Sequence, residues 1–144
     1  VCGAAVARQE SVLAIGIDVE HATPLDPQVL HSVCCDSELA ELAREPLAGK
    51  IVFCAKEAFY KAYYPATQRF LDFSDVLVTL DIAQGTFSAV LVDPALPALH
   101  GLRSLDGRYA MGAGYLFTAI ALAAFATRRN RAEDFRDMRD RDGH

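Results

Sequence analysis

Between Gly49 and Pro65 the chain has one clear reading, a helix, and that helix organises everything around it. Lys50 to Tyr64 contains neither glycine nor proline. Phe53, Glu57, Tyr60, Lys61 and Tyr64 recur three and four residues apart, which puts them on one side of a helix. Pro65 has no N–H to give and is expected to stop it. Short apolar runs flank this segment. Gly3–Ala7 and Val12–Val19 read as strands joined by the polar turn Arg8-Gln9-Glu10-Ser11. Val76–Ile82 alternates as a strand, Gly85 marks a turn, and Thr86–Val92 completes a hairpin. Tyr115–Leu122 reads as a last strand. Pro24–Pro27 and the stretch around Pro94 and Pro97 are loops, and Gln28–Val33 is a helical turn. Asp36 or Ser37 caps a short helix through Arg44 that Pro46 ends. The expected fold is α+β, an antiparallel sheet with one long helix packed on it. Residues 1–125 form the domain. Residues 126–144, where Arg and Asp or Glu nearly alternate, read as a disordered tail.

The 144 residues are 52% hydrophobic, enough for one core. A net charge of −5 without a basic stripe argues against nucleic acid as a partner, so any anionic ligand must be held by local cations. Ala110–Ala126 carries no charge, but it is short for a membrane span, rich in alanine and broken by Gly112 and Gly114. A buried strand is the better reading, and no membrane partner is expected. Cys34 and Cys35 are adjacent, and neither Cys2 nor Cys54 completes a C-x-x-C spacing. Free thiols in a reducing cytoplasm are expected rather than a zinc site. No charged region followed by an apolar run opens the chain. Val1 falls inside what reads as a strand, so the chain is expected to begin mid-protein.

Two places carry chemistry. Asp18 and Glu20 lie two residues apart at a strand end, and side chains at i and i+2 point the same way. Two hard oxygen donors on one spot suit Mg²⁺, which takes few protein carboxylates and fills its shell with water and phosphate oxygens. They equally suit a strand end that faces water. Glu57 and Lys61 lie one helical turn apart, with Lys56 beside them. Alone they fit a surface ion pair. With Asp18 and Glu20, Glu57 becomes a third metal ligand or a base, and the lysines become point charges for phosphate.

The string Ile15-Gly16-Ile17-Asp18-Val19-Glu20, followed by Phe53-Cys54-Ala55-Lys56-Glu57-Ala58-Phe59-Tyr60-Lys61-Ala62, resembles the two signature blocks of the 4'-phosphopantetheinyl transferase superfamily. The Asp-x-Glu form is similar to the surfactin- and enterobactin-type branch. So are Arg69-Phe70-Leu71-Asp72-Phe73-Ser74-Asp75 and the late Thr118-Ala119-Ile120-Ala121. The resemblance covers roughly residues 1 to 122 and implies one pseudo-half of a two-half α+β fold with coenzyme A between the halves. It implies Mg²⁺ on Asp18, Glu20 and Glu57, and coenzyme A phosphates on Lys56 and Lys61. Glu57 and Lys61 become the catalytic pair, Glu57 taking the proton of a carrier-protein serine, with 3',5'-ADP released. The full-length protein is expected to be a cytoplasmic monomer acting on an acyl or peptidyl carrier protein. No covalent enzyme intermediate is needed, so Cys54 is read as core.

The departures matter too. The family's first half and its Ser-His pair have no counterpart here, since none of His21, His31, His100 or His144 lies upstream of the first strand. A truncated or non-catalytic coenzyme A- and Mg²⁺-binding module, or a generic Mg²⁺-dependent nucleotide-binding enzyme, are the alternatives. Between Glu20 and Arg44 there is no Lys or Arg, so docking of an acidic carrier through charge cannot come from there. Leu25, Val29, Leu30 and Val33 offer an apolar patch instead, or else part of the core.

Overall fold

The computed structural model describes residues 1–124. Strand β1 (Val12–His21) leads to two short helices, α1 (Pro27–Val33) and α2 (Asp36–Leu39), and a 3₁₀ turn at Ala40–Ala43. The long helix α3 (Ala48–Thr67) follows, then a 3₁₀ turn at Phe73–Asp75. The hairpins are β2 (Val76–Asp81) with β3 (Thr86–Leu91), and β4 (Ser104–Gly112) with β5 (Tyr115–Ala123). All pairings are antiparallel and the order is β1-β5-β4-β3-β2, so β1 crosses the sheet's length in sequence to lie beside β5. The expected α+β class, an antiparallel sheet carrying one long helix, is the observed one. No described helix is long and apolar enough to cross a membrane.

Two sequence expectations need correction, and one strand went unread. Gly3–Ala7 is exposed and pairs with no described strand; its glycine and alanines offer little side-chain surface to hold it along the open edge of β1. Pro65 does not end α3. Its missing N–H leaves only the Lys61 carbonyl unpaired in the last turn, and the helix runs on to Thr67. Gln68 closes it in the left-handed region (φ 55°), its N–H donating to Tyr64 O at 2.8 Å. Strand β4 lies on Ser104–Gly112, where the sequence reading assigned no element to Ser104–Tyr109. Its inward side is Leu105, Gly107 and Tyr109, and the ring of Phe87 on β3 fills the space that a side chain at Gly107 would need. The expected tail, residues 126–144, lies outside the described residues.

The core lies between α3 and the inner sheet face. Phe59, Tyr63, Ile51, Leu116 and Ile120 are among its fully buried members. At its tightest point β1 touches α3 backbone to backbone. A Cβ at Gly16 would lie 1.9 Å from Ala58 O and 2.8 Å from Ala62 N, so only glycine lets the strand settle onto the helix there.

Candidate active site

That contact places the chemistry. Gly16, Asp18 and Glu20 alternate along the β1 face that meets α3, and Glu57 and Lys61 lie on α3 one turn apart. Lys61 Nζ donates to Asp18 Oδ1 at 2.6 Å, joining the two sequence blocks across 43 residues. The sequence pairing of Lys61 with Glu57 is not what forms: among the described residues the ion pair of Lys61 is with Asp18. Asp18 is braced from β5. Thr118, its register partner, donates to Cys54 O at 3.0 Å and lies 3.5 Å from Asp18 O. This threonine's part comes from strand register, which spacing along the chain does not show.

The electrostatics are those of crowded carboxylates. Burial, then the negative charge of Asp18, pushes the Glu57 carboxyl above its ordinary value. Lys61 opposes the rise and Glu20 adds to it. Cys54 is fully buried. Burial, then the charges of Asp18 and Glu20, hold its thiol protonated well above the usual range, so it is core and no nucleophile. Asp18 Oδ2 is buried and has no hydrogen-bond partner among the described residues. A buried carboxylate oxygen left bare is costly unless something binds it. Beside Glu57 a cleft of about 260 Å³ opens between Tyr60, Phe70, Leu71, Phe73 and Val76, with Phe70 77% exposed. A larger hollow, about 690 Å³, lies on the outer sheet face over Thr79, Ser88 and Asp106, away from these carboxylates.

Asp18, Glu20 and Glu57 were expected to converge as metal ligands, yet among the described residues no three His, Cys, Asp or Glu side chains stand gathered into a ready-made metal site. The donors present still fit a hard cation: Asp18 Oδ2 is bare, Glu20 shares its strand face, and Mg²⁺ keeps most of its shell for water and phosphate. Lys56 was expected at the coenzyme A phosphates. It is instead 5% exposed, with Nζ donating to Val33 O at 2.8 Å, Glu38 Oε2 at 2.9 Å and Phe73 O at 2.8 Å. Those three bonds use every N–H of an ammonium. Its partner Glu38, 2% exposed, is the buried residue that sequence reasoning missed.

Residues 14–113 match the sequence model of the 4'-phosphopantetheinyl transferase superfamily. The chain belongs to that superfamily. Among curated relatives, the 4'-phosphopantetheinyl transferase Svp of Streptomyces mobaraensis is 41% identical over 85% of this chain and 52% of its own length. The 4'-phosphopantetheinyl transferase PptT of Mycobacterium tuberculosis is 36% identical over 83% of this chain and 57% of its own. The chain thus spans little more than half the length of these relatives. The holo-[acyl-carrier-protein] synthase of Thermotoga maritima shares the fold, with a TM-score of 0.56 at 17% identity, over 77% of this chain and 63% of that one. The holo-ACP-synthase of Plasmodium yoelii does so at 0.53 and 17%, over 78% of this chain and 94% of that one. Both blocks that carry the superfamily resemblance fall inside the matched residues, and they are the two segments that Lys61 and Asp18 tie together.

Proposed function

We propose that this chain forms part of an enzyme that moves the 4'-phosphopantetheine arm of coenzyme A onto a serine of an acyl or peptidyl carrier protein. The single observation that carries the reading is the Lys61–Asp18 contact, which leaves Asp18 Oδ2 bare and buried beside a Glu57 whose carboxyl is pushed upward. Asp18, Glu20 and Glu57 would hold Mg²⁺. When bound, the ion neutralises pyrophosphate charge and stabilises the leaving phosphate.

The remaining work falls to side chains. Lys61 is about half exposed, so two of its N–H groups stay free to meet phosphate oxygens while the third holds Asp18. Glu57, with its raised affinity for protons, accepts the proton of the carrier serine. The serine oxygen forms a bond to the phosphorus that bears the pantetheine. The bond from that phosphorus to the bridging oxygen breaks, and 3',5'-ADP leaves with the electron pair. The cleft walled by Tyr60, Phe70 and Phe73 lies where an apolar arm could rest while its phosphate meets Lys61. The exposed Val29 on α1, with half-buried Leu25 and Leu30, supplies the carrier's docking surface. Val33 is 2% exposed and belongs to the core. The reading assigns the protein to the cytoplasm.

The test is a transfer assay on the natural protein that carries this chain, scored by the mass gained by a carrier protein. Asp18→Ala should abolish Mg²⁺-dependent transfer and leave the fold intact. Transfer at a near wild-type rate by that variant would remove the metal and catalytic assignments together.

A further inference from the structure

Lys56 and Glu57 are neighbours in sequence but live in different surroundings. The Lys56 ammonium is enclosed, its three donors fixed on Val33 O, Glu38 Oε2 and Phe73 O. Glu38 is 2% exposed and equally full. Oε2 also accepts from Cys35 N at 2.9 Å, and Oε1 accepts from Val78 N at 2.8 Å. Val78 sits on β2, an edge strand, so this bond covers a ladder N–H that would otherwise be open. One ion pair therefore joins the end of α1, the cap of α2, the middle of α3, the 3₁₀ turn before β2, and β2 itself.

Turning Lys56 toward a phosphate would strip Glu38 and two carbonyls of their partners inside the protein, which is strongly unfavourable. Consecutive helix residues are about 100° apart and cannot rotate independently. Whatever fixes Lys56 fixes the direction of Glu57. Phe73, whose carbonyl Lys56 holds, is also a wall of the cleft beside Glu57.

We infer that Lys56 and Glu38 form a buried post that positions Glu57 and the Phe73 wall of its cleft, and that Lys56 does not contact substrate phosphate. Both are positioning residues. The kinetic part rests on the transferase reading above; the post itself does not.

The experiment uses Lys56→Met and Lys56→Arg in the natural protein, assayed well below their melting temperatures. A post tolerates neither change, because arginine's planar fork cannot meet the three acceptors of an ammonium. The turnover number should fall about ten- to a hundredfold in both variants, as small misplacements of reacting groups do. The coenzyme A dissociation constant should stay within about threefold of wild type, since no phosphate contact is lost. Weakening by tenfold or more in Lys56→Met, restored by Lys56→Arg, overturns the inference in favour of phosphate binding. Wild-type turnover in folded variants overturns it in favour of a role in stability alone. If the variants do not fold, wild-type amide exchange decides. The Val78 and Cys35 N–H groups should be protected, and adding coenzyme A with Mg²⁺ should leave that protection unchanged. Protection lost on adding coenzyme A means that Lys56 has left the post. If coenzyme A does not bind at all, the transferase reading fails while Val78 protection still tests the post, and unprotected amides refute it.

Discussion

Gly16→Ala should be among the most damaging single-methyl changes in the chain. The added carbon would stand 1.9 Å from Ala58 O, 2.8 Å from Ala62 N and 3.0 Å from Ala58 C. All three atoms are backbone in the middle of α3, so no rotamer change relieves the clash. Ordinary contact with Ala58 O needs more than an ångström of separation between β1 and α3, across the most closely packed junction of the core. Overpacking of a core costs about 1–3 kcal/mol, and a clash against helix backbone belongs at the top of that range, about 3 kcal/mol. For a domain of this size that is a fall in melting temperature on the order of 10 °C. Gly112→Ala is the control, since nothing lies within 4 Å of its added carbon and its φ is not in the left-handed region. Urea denaturation of both variants gives the answer. The structural consequence reaches the site, because Asp18 is two residues along β1 and its distance from Lys61 depends on that seating. A loss below about 1 kcal/mol for Gly16→Ala, or equal losses for the two variants, would refute the packing argument.

Other outcomes follow from the same geometry. Lys61→Ala should weaken coenzyme A binding, with Lys61→Arg restoring it only in part because a fork replaces a point charge; calorimetry reads both, and an unchanged dissociation constant for the alanine variant removes the phosphate role. Glu57 has a folded pKa raised above its ordinary 4.5, so the stability it contributes is full below the unfolded value and is lost as pH rises through the folded one. In EDTA, Glu57→Gln should therefore gain melting temperature relative to wild type as pH goes from about 4 to about 8, while transfer is lost; a difference that is flat with pH contradicts the crowding of carboxylates. Val29 is 42% exposed, so Val29→Asp should raise the Michaelis constant for the carrier with melting temperature and coenzyme A affinity nearly unchanged; a large loss of stability marks it as core.

The sequence carried those parts whose cause is local. The helix around Lys56 and Glu57 has its period written in it, and the β2–β3 hairpin has alternation and Gly85. β4 escaped because its inward position 107 is a glycine whose space is filled by Phe87 from another strand, which breaks the apolar alternation along Leu105–Tyr109. Pro65 misled because a proline in the last turn removes just one hydrogen bond. The site was legible as residue types and spacing, and the Asp18 and Lys61 blocks do meet. What the spacing could not show was partnership. Lys56 and Lys61 look alike on paper, yet one faces Glu38, Val33 and Phe73 in the interior and the other faces Asp18 at the surface. The residue that separates them, Glu38, lies 18 positions from Lys56 and 40 from Val78, so only the folded chain brings it into view.

The division of labour between the two lysines has an electrostatic consequence. The charge of Lys56 is cancelled by Glu38 and contributes nothing outside the core. With Asp18, Glu20 and Glu57 ionised, the three carboxylates carry −3 against +1 from Lys61, a local charge of −2. A pyrophosphate approaching such a site meets net repulsion from this chain, whatever cations the rest of the natural protein adds. A divalent cation reverses the sign, so coenzyme A and Mg²⁺ should each tighten the other's binding by the same factor, as linkage requires. A tenfold coupling, about 1.4 kcal/mol, is the smallest effect expected for a bridging ion. Calorimetric titration of coenzyme A in Mg²⁺ and in EDTA measures it, and Asp18→Asn should remove most of it by taking away the bare oxygen's charge. Equal coenzyme A affinity in Mg²⁺ and EDTA would show that these carboxylates do not hold the ion, and Glu57 would then be left as a base without a metal beside it.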